Sequence, residues 1–137
     1  MILVDTNVWS ELANPRGDSA VLGWLQANDD DLALSTLVIA EIRYGIELLG
    51  ASPKRSFLEA WLNGMQSRYY SQTWQFDSRD AYCYCHVAAN PEVKARQPQV
   101  IDIQLAAQAL ARDASIATRN AKDFEWTGVK LVNPWDA

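Results

Sequence analysis

The sequence predicts an α/β fold, a three-layer α/β/α sandwich in which a central parallel sheet carries helices on both faces. Short apolar runs of strand length alternate along the chain with longer stretches of helical periodicity. The first run, Met1–Val4, is continuous rather than alternating and ends on Asp5, the form of a strand buried on both faces. No repeat, low-complexity tract or linker interrupts the alternation, so residues 1–137 read as one domain.

After that strand, Thr6 or Asn7 can cap a short helix that runs through Leu12 and closes at Asn14-Pro15. Asp18 or Ser19 caps a helix over 19–28, and Asp29-Asp30-Asp31 is a solvated turn before a second strand at Leu32–Ser35. Ser35-Thr36 opens a helix over Leu37–Leu49 that Gly50 ends. Pro53 at a first-turn position starts the next helix, which runs to about Arg68, and Trp74–Phe76 is a short strand. Ser78 or Asp80 starts a helix that Asn90-Pro91 breaks, because the residue before proline leaves the α region. Ile101–Arg112 is apolar around most of its circumference and reads as a buried helix. Ser115–Thr118 and Lys130–Val132 are short strands, with Arg119–Phe124 as loop and half-turn between.

Composition narrows the function classes. With 49% hydrophobic residues, 21% charged and six tryptophans, the chain is not disordered. No apolar run approaches the roughly 18 residues of a membrane span, so no membrane partner is expected. The MILVDTN start lacks the basic region of a secretion signal, which predicts a cytoplasmic protein with reduced thiols. Cys83 and Cys85 would face about 200° apart on a helix and read as ordinary buried thiols. His86 is the single histidine, which argues against catalytic triads and His-rich zinc sites. Twelve basic against 17 acidic residues leave a net charge of −5, unfavourable for a broad phosphate-binding surface unless the acids gather around a cation.

Four acids are candidates for the edge where an open parallel sheet collects its functional groups: three at strand ends or helix starts, and Glu41 projecting from a helix face. Asp5 closes the first strand and is free to face the cleft if Thr6 or Asn7 caps the helix. Glu41 sits in a helical stripe with Leu37, Val38, Gly45 and Leu48, and Arg43 faces away, leaving the carboxylate no local partner. Gly45, unfavourable within a helix, suggests close approach of another group. Asp102 lies in the first turn of the buried helix, and Asp123 ends an Asn120-x-x-Asp123 segment that resembles a capping box. Four converging carboxylates without a cation would repel and raise one another's pKa. Hard oxygen donors suit Mg²⁺ or Mn²⁺ rather than zinc, and the chemistry they open is metal-assisted phosphodiester hydrolysis.

The segments MILVDTNVWSEL, STLVIAEIRYGIELL, DIQLAAQALA and IATRNAKDFEWTGVKLVNPW, in this order across nearly the whole chain, resemble the motifs of PIN-domain ribonucleases. The similarity is closest to VapC-type and FitB-like toxins of bacterial toxin–antitoxin pairs. The resemblance implies an acidic Mg²⁺ or Mn²⁺ site made by Asp5, Glu41, Asp102 and Asp123, which cuts RNA. Thr6, Asn7, Thr118 and Asn120 are then the groups that orient the acids. It also implies a homodimer and a small VapB-like antitoxin, whose tail in such pairs often inserts an arginine into the acidic groove. The chain departs from the family pattern at Arg96-Gln97-Pro98, in place of a commoner Gly-Arg-Pro, with the spacing to Asp102 one residue shorter. Asp113-Ala114 stands where a glycine usually ends the buried helix, and Pro91 interrupts a helix that is often continuous.

Lesser features have plain readings. Arg43-Tyr44 is exposed surface or a contact for RNA or antitoxin, Arg119 and Lys122 form a basic rim, and Lys54-Arg55 is a solvated helix start. Trp9 and Trp61 are interface candidates. The reading is therefore a Mg²⁺-dependent endoribonuclease acting as the toxin of a toxin–antitoxin pair, with a solitary RNA-processing nuclease as the neighbouring alternative. A non-catalytic PIN-like module predicts a missing acid, and all four are present. Aspartyl-phosphate chemistry wants an acid two residues after Asp5, where Asn7 stands, and a receiver domain needs an acid pair and a lysine that are also lacking.

Overall fold

Ile2–Val4 forms β1, whose Leu3 and Val4 are fully buried. The computed structural model describes residues 1–136. Thr6–Trp9 makes the one-turn α1, continued by a 3₁₀ turn to Ala13, and α2 spans Ser19–Ala27 behind its cap Asp18. Leu32–Ser35 is β2, buried at every residue, and the Ser35 side chain caps α3, Thr36–Glu47, by accepting from Leu37 N–H at 3.1 Å. Pro53 begins α4, Pro53–Arg68, and Thr73–Trp74 is β3. The two halves of the helix broken at Asn90-Pro91 are α5, Ser78–Ala88, and α6, Glu92–Arg96. Then come α7, Val100–Ala111, β4, Ser115–Ala117, and β5, Leu131–Val132.

The five strands are all parallel, in the order β3-β2-β1-β4-β5. The chain builds outward from β1 through β2 to β3, then returns to the other side of β1 for β4 and β5. The order therefore reverses between β1 and β4, and such a switch point opens a crevice beyond the carboxyl ends of its strands. Residues 5 and 118 lie there, immediately after β1 and β4. Asp5 N–H still bonds Ala117 C=O at 2.9 Å, so the site begins where the ladder ends.

The core runs through the sheet and the faces laid on it: Leu3, Val4, Leu34 and Ile116 from the strands, Phe124 from the connection between β4 and β5, Val38 and Ile46 from α3, and Leu105 and Ala106 from α7. Trp9 belongs to this core. It is fully buried, 4.9 Å from the Tyr69 ring, so it is not an interface residue as the sequence suggested. A short amphipathic stretch looks the same whether its apolar side meets a partner or its own domain. Asp113, where glycine is usual, takes φ +51° and closes α7 at the cost of a left-handed non-glycine residue.

Several surface expectations need correction. Cys85 is exposed and Cys83 half-buried, so neither is the buried thiol expected. Asp29 is not simply solvated: it accepts from Tyr69 Oη at 2.6 Å and Arg68 Nη2 at 2.8 Å, which hold its carboxyl below the usual range, the tyrosine chiefly. Arg55 is folded back, donating to Leu49 C=O and to Glu59, rather than solvated. The strand expected at 74–76 lies at 73–74. Among the described residues, no helix is long and apolar enough to cross a membrane.

Candidate active site

The carboxyl edge of the sheet opens into a cleft of about 650 Å³, and Asp5, Glu41, Asp102 and Asp123 all line it. The strand end delivers Asp5, α3 delivers Glu41, the first turn of α7 delivers Asp102, and the 3₁₀ turn Ala121–Asp123 delivers the fourth. Asp5 is only 8% exposed and fully engaged. Its Oδ1 accepts the Thr6 N–H at 2.8 Å, while Oδ2 accepts the Thr118 hydroxyl at 2.8 Å and the Asn7 amide at 3.2 Å. Asp5 is thus itself the cap of α1, not Thr6 or Asn7 as the sequence suggested. A carboxylate has two oxygens, so one caps the helix while the other stays in the cleft.

The remaining orienting groups follow from these bonds. Thr6 donates its hydroxyl to Glu41 Oε1 at 2.7 Å, tying the second acid to the strand end that carries the first. Thr118 Oγ1 accepts from Asn120 N–H at 3.1 Å, which aims its own proton at Asp5. Asn7 Oδ1 accepts from Arg119 N–H at 3.2 Å. Asn120 contributes through its backbone, and its side chain makes no capping bond, so the capping box read at Asn120-x-x-Asp123 does not form. The Asp123 carboxylate is left to the cleft.

Electrostatics follow the geometry. Burial raises the Asp5 pKa above the ordinary carboxylate range, against the bonds from Thr118, Thr6 and Asn7, and Asp123 adds repulsion. Asp102 is pushed up to about 7, by burial first and then by Asp5, Asp123 and Glu41 in that order. None of the four acids has a lysine or arginine within ion-pairing distance among the described residues. The four acids therefore stand together with no ion pair to neutralise them among the described residues, and the donors are all hard oxygens, the set that suits Mg²⁺ or Mn²⁺. The acids ring the space without closing on it. Among the described residues, no three His, Cys, Asp or Glu side chains are gathered closely enough to hold a metal ion by themselves. Mg²⁺ keeps several of its waters and takes only one or two carboxylates directly, so it does not require a closed set of three protein ligands.

The rim differs from the sequence reading. Lys122 lines the cleft, but Arg119 is drawn away over the Trp135 ring, 5.0 Å from its centroid. Arg96 supplies the second cation of the lining, while its Nε pairs with Glu92 at 2.8 Å. Trp126, Gln97 and Gln99 also line the cleft, and sequence reasoning did not assign them to it. The unusual Arg96-Gln97-Pro98 stretch was the available signal for the wall formed by Gln97 and Gln99. Gly45 is exposed, and a Cβ built on it would meet nothing within 4 Å, so the close approach expected there does not occur within the chain. Leu48, expected in the same stripe, is 68% exposed.

A doubly wound α/β domain with uncompensated carboxylates at its switch point is the class that this fold and cleft define. The family model described as PIN domain matches residues 2–128, and the chain belongs to the PIN-domain family. It is 32% identical over 138 residues, 99% of both chains, to a protein of Sinorhizobium fredii named VapC ribonuclease Y4jK. It is 30% identical over 137 residues to the toxin FitB of Neisseria gonorrhoeae, covering 98% of this chain and 99% of that one. The crystal structure of FitAcB from the same organism superposes with a TM-score of 0.90 at 29% identity, over 100% of both chains.

Proposed function

We propose that the chain is a divalent-metal-dependent endoribonuclease and the toxin of a toxin–antitoxin pair. The observation that carries this reading is the set of four acids, Asp5, Glu41, Asp102 and Asp123, lining one cleft without a basic partner. Relatives named as a VapC ribonuclease and as the toxin FitB support it over the full length of the chain.

The four carboxylates would hold Mg²⁺ or Mn²⁺, some directly and some through water. When bound, such an ion polarises a phosphoryl oxygen and makes water a stronger acid at neutral pH. The chain's own residues set the geometry. Three donors fix the Asp5 carboxylate, and Thr6 fixes Glu41, so neither acid has to reorganise. Asp102, pushed up to about 7 in the metal-free chain by burial and its neighbouring acids, would give up that proton as it takes hold of the ion. Lys122, with no ion-pair partner among the described residues, is placed to hold a phosphate of the RNA against the acidic floor.

A toxin needs an inhibitor, and the surface beside the cleft has room for one. A groove of about 560 Å³ begins at Thr6 and Glu41 and continues over Pro15, Gly45, Leu58 and Trp61, giving an antitoxin a largely apolar seat next to the acids. Exposed Tyr82 on α5 and Val100 and Leu110 on α7 would be available to a second copy in a homodimer.

The test is cleavage of an RNA mixture by the purified chain with Mg²⁺ or Mn²⁺. Cleavage is expected to cease with EDTA and to fall at least a hundredfold in Asp5→Asn. Cleavage that survives both would remove the mechanism.

A further inference from the structure

We propose that Trp126 is a stacking platform for an unpaired nucleobase beside the scissile phosphate. This assignment rests on the ribonuclease reading above and adds what that reading lacks, a group that grips a base.

Among the described residues, Trp126 is the single aromatic that lines the acidic cleft. Its ring is held from two directions. The indole Nε1–H donates to the Asp123 carbonyl at 3.0 Å, and part of the ring covers the small apolar cluster of Val87, Ile103 and Ala107. The residue is only half-buried, so the rest of the indole remains open to the cleft. Other half-buried tryptophans, Trp24, Trp61, Trp74 and Trp135, pack on the main core, whereas Trp126 lines the acidic cleft. Here the indole is oriented in advance, three residues from a carboxylate that faces the reacting phosphate and four from the free cation Lys122.

That placement matches single-stranded RNA. Unstacked bases are taken up on aromatic faces, with little dependence on which base is present, while phosphates are held by neighbouring cations. Base-paired RNA keeps its bases stacked and offers no such face. The amides of Gln97 and Gln99 line the same cleft and supply donors and acceptors for a base edge. Gln97 closes α6 in the left-handed conformation common at helix ends, φ +46°, and that ending brings it to the cleft.

The experiment measures initial rates on a short single-stranded RNA with one main cleavage position, and on the same RNA carrying an abasic nucleotide at each flanking position in turn. Trp126→Leu keeps apolar cover over Val87 and Ile103 but removes the flat ring, and Trp126→Phe restores a ring. The expected result is a KM about tenfold higher in Trp126→Leu with kcat within about twofold, and recovery of most of that loss in Trp126→Phe. One abasic position should raise the wild-type KM similarly and leave that of Trp126→Leu unchanged. Equal KM values in wild type and Trp126→Leu on the intact RNA would overturn the assignment. So would equal losses in the variant on intact and abasic RNA, or a wild-type KM indifferent to every abasic position, which needs no variant to fold. A wild-type chain that neither cleaves nor binds RNA would overturn the ribonuclease reading as well.

Discussion

The Thr118 hydroxyl donates to Asp5 Oδ2 at 2.8 Å across 113 positions of sequence, and this bond joins the ends of the two strands between which the sheet reverses. Both partners are buried, and the Thr118 oxygen is itself held by the Asn120 N–H. The site thus inherits its stiffness from the ladder beneath it.

Removing that hydroxyl should therefore cost both function and stability. Thr118→Val keeps the shape but leaves Asp5 Oδ2 with the longer bond from Asn7. Loss of such an orienting group typically lowers metal affinity or activity by about 10–100-fold. Urea unfolding should also show a loss of about 1–2 kcal/mol, the net worth of a buried bond to a charged acceptor. Unchanged Mn²⁺ affinity in Thr118→Val would show that Thr118 does not position Asp5.

Stability should depend on pH through Asp102. Its pKa lies at about 7 in the folded, metal-free chain, chiefly through burial, and near 4 when unfolded. Between those values the folded state binds the extra proton, so this contribution is complete below about pH 4 and is lost as pH rises through 7. Because Asp102 is only half-buried, its share is about 1–2 kcal/mol after allowance for screening. In the presence of EDTA, Asp102→Asn should be more stable than wild type at pH 8, with the gap closing towards pH 5. A gap that stays constant with pH would contradict the assignment.

A third prediction concerns the frame away from the cleft. Asp80 is fully buried, with Oδ2 3.1 Å from Arg112 Nη2, and the guanidinium lies 4.8 Å over the Trp74 ring. Arg112→Met would leave the buried Asp80 carboxylate without its cation, with only the Asp77 N–H bond at 2.9 Å, at a cost of about 3–5 kcal/mol. Chemical denaturation should show that loss, while Mn²⁺ affinity per folded molecule stays within about threefold.

Much of this architecture is readable in the residues. Apolar runs gave β1 and β2, and Ser35 and Pro53 marked the starts of α3 and α4, because caps and first-turn prolines act locally. The two-residue β3 shifted because an edge strand pairs on one side only, so little in its own pattern fixes its ends. Tertiary pairings were not readable. The Asp80–Arg112 pair spans 32 positions, and Arg119 turned away from the cleft because Trp135 offers it a face. Asp5, Asp102 and Asp123 were identifiable from strand ends and helix starts and Glu41 from its unpartnered place in an apolar stripe, whereas nothing local in the residues marks Trp126, whose indole N–H meets the Asp123 carbonyl only in the fold.

The most direct test is a calorimetric titration of the purified chain with Mn²⁺ at pH 7, in two buffers of different ionisation enthalpy. Wild type should bind saturably and release a fraction of a proton, because an ion at the cleft displaces the proton that Asp102 shares at this pH. Asp102→Asn should bind at least tenfold more weakly and release none. Absence of saturable binding by wild type, or the same affinity and proton release in Asp102→Asn, would contradict the account.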